Sequence, residues 1–254
     1  MSPRVSIITP TANREALLPA IAHCVQRQQV DWEWLLLDDS PRPSAYMETL
    51  AAQDARIRYT WQPQPMTIGA KRNALVAKAC GELIAHFDDD DHYASHYLAD
   101  MVELLEQNHA DLMKLSTFYL YAPQTRFFGY MDLNARVGLH YVLTGNSVDV
   151  VRFHDKMKIG ADFILFYGFS YVYRKALIDM AQYDDINLCE DESFIRGLVS
   201  AGCTVLAADD RRASCLHLIH PASTARSFSR YSMPPFILPK LFPEYEGFPG
   251  VLQG

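Results

Sequence analysis

The 254-residue chain is poor in the features that mark secreted, membrane-spanning or nucleic-acid-coating proteins. Its five cysteines, Cys24, Cys80, Cys189, Cys203 and Cys215, are odd in number, scattered and never arranged as C-x-x-C. They read as reduced, mostly buried thiols of a cytosolic protein rather than a disulfide framework. No stretch approaches the roughly 18 apolar residues a membrane span requires, so no transmembrane helix is expected. The opening MSPRVSIITPT lacks a basic region ahead of a long apolar run, so no signal peptide is expected either. Positive charge is scarce: 23 Lys and Arg stand against 30 Asp and Glu, a net charge of -7. A general nucleic-acid binder needs a basic face, so that class is disfavoured, although a local basic pocket for phosphates stays open. Three motifs are missing as well. No G-x-G-x-x-G follows the first strand, no G-x(4)-G-K-[ST] occurs, and GFSYV at 168–172 lacks the closing glycine of G-x-S-x-G. These gaps argue against a dinucleotide-dependent oxidoreductase, a phosphate-loop nucleotidase and a serine hydrolase. There is no internal repeat and no low-complexity linker.

What is present is an ordinary globular composition, 49% hydrophobic and 21% charged, sized for one large domain or a domain with a small annex. Short apolar, β-branched runs alternate with segments of helical spacing. RVSIITP at 4–10 reads as a buried strand stopped by proline. NREALLPAIAHCVQRQ follows as a helix, with Asn13 a candidate N-cap. WEWLLLDDS is a second strand ending in carboxylates, SAYMETLAAQDA a helix, and RIRYTWQ a more exposed strand. TIGAKRNALVAKACGE is a helix with Gly81 suited to its C-terminal stop. LIAHF, the helix SHYLADMVELLEQNHA and the strand DLMKLSTFYLYA complete the first half. Later, INLCEDESFIRGLVSAG reads as a helix with an acidic entry and CTVLAAD as a strand. The pattern predicts a mainly parallel sheet with helices on both faces. Ligands of such sheets bind beyond the carboxyl ends of the strands. Three predicted strands end there in polar residues: Pro10-Thr11, Asp38-Asp39 and Asp88 to Asp91.

Four adjacent aspartates after a buried strand need compensation, because neighbouring carboxylates raise each other's cost of ionisation. If the segment is extended, Asp88 and Asp90 share one side and Asp89 and Asp91 the other. Hard oxygen ligands suit Mg²⁺ or Mn²⁺, particularly where a phosphate supplies further ligands. An EF-hand starting at Asp88 fails, since its sixth and twelfth positions are Tyr93 and Ala99. His92 and His96, four apart, have no third ligand pattern and read as helix-surface histidines.

The ordered set VSIITPTANR, WLLLDDS, IGAKRNALVAKACGELIAHFDDDD and CEDESF resembles glycosyltransferase family 2, inverting enzymes of the GT-A fold that use nucleotide-sugars. The resemblance covers roughly residues 4–225. It implies that Pro10, Thr11 and Arg14 line the nucleotide and that Asp39 accepts a hydrogen bond from the base, uracil in most relatives. Lys71 and Arg72 lie where relatives often read ARN and would meet the base or diphosphate, helped by backbone dipoles at the helix start. Asp88 and Asp90 match the D-x-D that serves ribose and metal, with Asp89 their neighbour. Asp191 of the ED pair would be the catalytic base, with Glu190 orienting it or touching the acceptor. His220 would complete the metal site, with His217 the reserve; an asparagine common after that histidine is absent here. Arg226 and Arg230 are candidate diphosphate contacts. Gly168 permits close backbone approach, and Tyr167, Phe169 and Tyr171 are candidate sugar-stacking or core aromatics.

The resemblance thus implies an α/β single domain with a Rossmann-like, mainly parallel central sheet flanked by helices, over 1–225. Residues 1–115 form its nucleotide-binding half and 116–225 its acceptor half. The tail 226–254, rich in proline and aromatics, would pack on the domain, pair two subunits or touch a membrane surface. The implied activity is Mn²⁺- or Mg²⁺-dependent transfer from a nucleotide-sugar, UDP-linked in most relatives, to a hydroxyl of a glycan or glycolipid. The expected setting is cytoplasmic, with peripheral contact at the inner membrane face and a homodimer both open. An inactive nucleotide-sugar-binding scaffold is the alternative.

Overall fold

The computed structural model describes residues 2–133, 138–144, 147–153, 167–221, 223, 227–228 and 231–248. The first half alternates as the sequence predicts: β1 (Val5–Thr11), α1 (Leu18–Gln26), β2 (Trp32–Asp38), α2 (Ala45–Gln53), β3 (Ile57–Trp61), α3 (Ile68–Lys78) and β4 (Leu83–His86). Then come β5 (His92–Tyr93), α4 (Tyr97–Gln107), β6 (Leu112–Ala122), β7 (Phe127–Asp132), β8 (Gly138–Thr144) and β9 (Ser147–Phe153). The chain continues through β10 (Val172–Arg174), α5 (Glu190–Ser200), β11 (Val205–Asp209), β12 (Cys215–Leu218), β13 (Ser227–Phe228), β14 (Tyr231–Met233) and α6 (Leu238–Leu241).

Strands β3, β2, β1 and β4 form a parallel block in that spatial order. β10 lies antiparallel between β4 and β6. β6 pairs with β10 and β11 in its first half and with β7 and β12 in its second, β11 and β12 running parallel to it. The result is a mostly parallel, curled sheet. β8, β9 and β13 make a separate three-stranded sheet. Alternate residues face opposite ways on a strand, and here both ways are covered. Val5, Ile7, Trp34 and Leu36 pack with α1 and α4, whereas Ile8, Leu35 and Leu37 pack with α3 and α5. That double burial is why β1 and β2 read as unbroken apolar runs.

Four local expectations change. Asn13 does not cap α1: it sits at φ 58 and its N–H donates to Ser40 Oγ at 2.7 Å. The helix begins at Leu18, with Pro19 in its first turn, where a missing N–H costs nothing. Gly81 is needed for packing rather than for a left-handed stop, because a Cβ there would lie 2.7 Å from the Ser6 backbone nitrogen. His92 is buried on β5 and His96 precedes α4, so neither is a helix-surface residue. Of the cysteines, Cys24 and Cys215 are buried, but Cys80 and Cys189 are exposed; all five are free.

The tail packs on the domain. β14 pairs with β7, and Leu238 and Phe242 fill a third apolar cluster with Phe128, Leu216 and Leu218. No helix among the described residues is long and apolar enough to cross a membrane.

Candidate active site

Because β1, β2 and β4 are parallel and adjacent, their carboxyl ends deliver Thr11, Asp38-Asp39 and the aspartate run to one edge. The turn at Tyr167–Ser170 and the start of α5 face them. Between these lies an open cavity of about 230 Å³. Its lining includes Pro10, Thr11, Arg14, Lys71, Arg72, Asp88, Asp89, Asp90, Glu190 and Asp191. Asp39 lies behind Lys71, and His220 behind Asp90, so these candidate binding, metal and catalytic residues are brought together. Arg226 and Arg230 fall outside the described residues.

The two cations on α3 engage the protein itself. Lys71 Nζ donates to Asp39 Oδ1 at 2.6 Å and to the Thr11 carbonyl at 2.9 Å, with both side chains buried. Asp39 Oδ2 also accepts from the Met66 N–H at 2.6 Å. Arg72, only 4% exposed, points one nitrogen at each of three partners. Nε donates to Glu190 Oε1 at 3.2 Å, Nη2 to Asp88 Oδ1 at 3.2 Å, and Nη1 lies 2.6 Å from His86 Nδ1.

The α3 N-terminus is occupied too, against the expectation that its dipoles face phosphate. Its first N–H groups donate to Asn187 Oδ1 at 3.0 Å, the Ile186 carbonyl at 3.1 Å and Thr67 Oγ1 at 3.1 Å. Gly69 makes this possible: a Cβ there would sit 1.8 Å from the Asp184 carbonyl oxygen.

The acidic run is a turn, not an extended strand, so the expected two-and-two split does not occur. Asp91 N–H donates back toward the Asp88 carbonyl at 3.5 Å. Asp88, Asp89 and Asp90 share the cavity while Asp91 points inward, accepting from the Leu218 N–H at 2.9 Å and meeting His217 Nδ1 at 2.8 Å. Burial, reinforced by Asp90, pushes Asp89 up to about 8 despite a hydrogen bond from Thr11 Oγ1. Burial raises Asp91 to about 6, the His217 charge opposing it. Burial also raises Asp88, against the pull of Arg72. Asp90 differs: burial works to raise it, but the His220 hydrogen bond and the Arg14 charge leave it below the usual carboxylate range.

Asp90 Oδ2 lies 3.0 Å from His220 Nε2, and Arg14 Nη1 lies 3.0 Å from that same nitrogen. No preformed group of three metal-binding side chains exists among the described residues. Asp90 lines the cavity with the His220 nitrogen directly behind it, and a carboxylate oxygen and an imidazole nitrogen so placed fit a divalent ion that would take its other ligands from a diphosphate. His217 adds a second candidate nitrogen: Nδ1 is fixed by Asp91, while Nε2 is buried and unpartnered. A carboxylate behind an imidazole is the usual support of a metal-ligating histidine.

Opposite stands the α5 entry. Asp191 Oδ2 accepts from the Gly168 N–H at 2.8 Å, and a Cβ on Gly168 would approach Asp191 Cβ to 2.8 Å. Burial raises Glu190, the Arg72 charge opposing it. Phe169 stacks on His217 with centroids 4.6 Å apart, whereas Tyr171 belongs to the core. Sequence reading missed His86, Tyr183 and Lys114. His86 and Lys114 are wholly buried, and burial pushes Lys114 down to about 7, Asp191 pulling the other way. The signal for His86 was one polar residue inside the apolar run LIAHF, and for Lys114 a lysine set among the apolar residues of LMKL.

Comparison with known proteins adds the lineage. The family model described as Glycosyl transferase family 2 matches residues 6–147, more than half of the chain. The chain belongs to glycosyl transferase family 2. It is 31% identical over 115 residues to the GalNAc(5)-diNAcBac-PP-undecaprenol beta-1,3-glucosyltransferase of Campylobacter jejuni, covering 42% of this chain and 36% of that one. It is 29% identical over 110 residues to an uncharacterized glycosyltransferase of Haemophilus influenzae, covering 42% and 44%. Each match therefore spans less than half of the relative. Among solved structures, S. aureus TarS 1-349 in complex with UDP-GlcNAc superposes with TM-score 0.62 at 17% identity, over 87% of this chain and 60% of that one. The Pyrobaculum calidifontis mannosyltransferase PcManGT, in complex with GDP-Man and Mn²⁺, gives 0.62 at 16%, over 88% and 59%. The fold of this glycosyltransferase is GT-A.

Proposed function

We propose that this glycosyltransferase moves a sugar, with inversion, from a UDP-sugar to a hydroxyl of a glycan or glycolipid, using Mn²⁺ or Mg²⁺. One observation carries the reading: a single cavity is lined both by the Asp88–Asp90 run, with His220 behind Asp90, and by Asp191. Inversion needs a base on the acceptor hydroxyl, opposite the leaving diphosphate, and carboxylates brought to one cavity by two separate elements support that reading. Solved neighbours that hold UDP-GlcNAc, or GDP-Man with Mn²⁺, support a nucleotide-sugar and a metal in this cleft.

Pro10, Thr11 and Asp39 would contact the nucleoside, with Lys71 orienting Asp39. Asp90 and His220, with Asp88, would hold the ion, His217 standing in reserve. A divalent ion held there would supply charge neutralisation for the diphosphate leaving group. Asp191, aimed by the Gly168 N–H, takes the acceptor proton as the acceptor oxygen bonds to the anomeric carbon and the bond from that carbon to the phosphate oxygen breaks. Arg72 keeps Glu190 beside it. We take the working site to be the cytoplasm, peripheral to the inner membrane face where the acceptor is lipid-linked.

A thermal-shift screen of nucleotide-sugars with Mn²⁺ identifies the donor, and chelation should abolish the shift. Asp191→Asn should lower turnover by about 10²–10⁴-fold with donor affinity nearly unchanged, the range for losing a general base. Near-normal turnover of that variant would remove Asp191 from the role. A wild-type protein that binds donor but never releases nucleotide would be a scaffold.

A further inference from the structure

His86 ends β4 with its side chain fully enclosed, two residues before the aspartate run. Nothing assigned so far uses it, yet its ring touches both walls of the site. Nδ1 lies 2.6 Å from Arg72 Nη1 and 2.8 Å from the Gly168 carbonyl oxygen. Nε2 lies 2.9 Å from the Tyr183 hydroxyl, which in turn is 3.1 Å from the Tyr173 hydroxyl. Arg72 holds Asp88 and Glu190, and the Gly168 N–H holds Asp191.

The protons in this chain can be assigned. A guanidinium is always a donor, so its contact with Nδ1 requires a bare lone pair there. The ring proton then sits on Nε2 and is donated to the Tyr183 oxygen, whose own proton goes on to Tyr173. The Gly168 carbonyl competes for Nδ1 as an acceptor, but the shorter, charge-assisted contact with Arg72 is the stronger. The tautomer is thereby selected, and with it the orientation of a guanidinium whose three nitrogens each have one partner.

We propose that His86, as its Nε2–H tautomer, is a positioning residue for glycosyl transfer: it locks Arg72, and through that guanidinium sets Asp88 and Glu190 in register. The proposal rests on the glycosyl-transfer reading for its consequence, not for its geometry. A role limited to filling space makes a different forecast. Phenylalanine would then replace the imidazole well, and asparagine, which leaves a void, would be worse. The positioning role reverses that order, because asparagine Oδ1 stands near the place of Nδ1 and can accept from Arg72, while phenylalanine cannot.

Two measurements decide it. The first is the nitrogen-15 NMR tautomer of His86 in the wild-type protein, with His86→Asn as the assignment control. The Nε2–H form is expected, and the Nδ1–H form overturns the proposal without reference to activity. The second is metal-supported release of nucleotide from the donor by His86→Asn and His86→Phe. His86→Phe should lose about 10²-fold in kcat with KM changed less than about threefold, the penalty of displaced reacting groups, and His86→Asn should recover most of it. Activity of His86→Phe equal to or above His86→Asn overturns the proposal. If His86→Phe does not fold, His86→Leu takes its place in the same comparison. If wild-type protein binds and turns over no nucleotide-sugar, the glycosyl-transfer reading fails, and the tautomer still decides whether His86 holds Arg72.

Discussion

The two walls of the cleft are built differently. On the donor wall, Lys71 and Asp39 form a buried ion pair, Arg72 is tied at three nitrogens, and the α3 N-terminus is fully capped. On the proposed acceptor wall, Asp191 is anchored by the N–H of a glycine, and the approach to α5 is a surface loop. Leu188 there is 60% exposed, and Cys189, also exposed, sits at φ 65, a conformation unfavourable for a residue with a Cβ. The donor wall thus carries its order in buried polar bonds made before any ligand arrives. The acceptor wall carries its order in backbone shape. Under the proposed function, variation in the acceptor could be accommodated on such a loop without disturbing the nucleotide site, because the sheet ends that would hold the nucleotide lie on other elements.

The sharpest way to break this contrast is to remove one member of the buried donor-wall pair. Lys71→Met leaves Asp39 charged and buried with only the Met66 N–H, and should cost about 3–5 kcal/mol of stability by chemical denaturation. The double variant Lys71→Met with Asp39→Leu should recover most of that loss, since an apolar pair removes the stranded charge. A single-variant loss under about 1 kcal/mol would mean the pair is solvated in practice, and the donor wall no tighter than its opposite.

The next effect should be catalytic rather than structural. Gly168→Ala puts a methyl group 2.8 Å from Asp191 Cβ, so either the turn or the carboxylate must move. We expect kcat to fall about 10²-fold, or about 2.7 kcal/mol, with donor affinity unchanged. Donor affinity falling in step with kcat would show that the walls are coupled there, contrary to the comparison drawn above.

The same contrast explains what could be read in advance. β1, β2 and β4 were legible because burial on both faces writes a local signature, and the topology rule then sends their carboxyl ends to one site. Asp191 became legible only through the order of motifs, since three acids at a helix entry are commonplace by themselves. Pairings between distant segments left no local trace. β10 enters the sheet antiparallel from within an aromatic stretch, and the 184–187 loop caps α3 from more than a hundred residues away. The turn within Asp88–Asp91 was also missed, because periodicity presumes a regular backbone. His86 was hidden by its success in the strand: a ring buried among Tyr171, Tyr173 and Tyr183 behaves like one more aromatic.

The smallest expected effect tests the acceptor wall with the counterpart of the Lys71 experiment. Glu192, one residue beyond the proposed catalytic pair, meets Arg196 at 2.8 Å, with side chains 37% and 49% exposed. An exposed pair four apart on a helix contributes about 0.3–0.5 kcal/mol, and a carboxylate in the first turn adds a similar amount through the helix dipole. Glu192→Gln should therefore lower stability by no more than about 1 kcal/mol, a loss that shrinks further in high salt. Denaturation at low and high ionic strength reads both quantities. A loss above about 2 kcal/mol that persists in salt would be that of a desolvated pair, and it would place charge-based bracing on both walls. The backbone turn at Gly168 would then share the work of holding Asp191 with the helix entry itself.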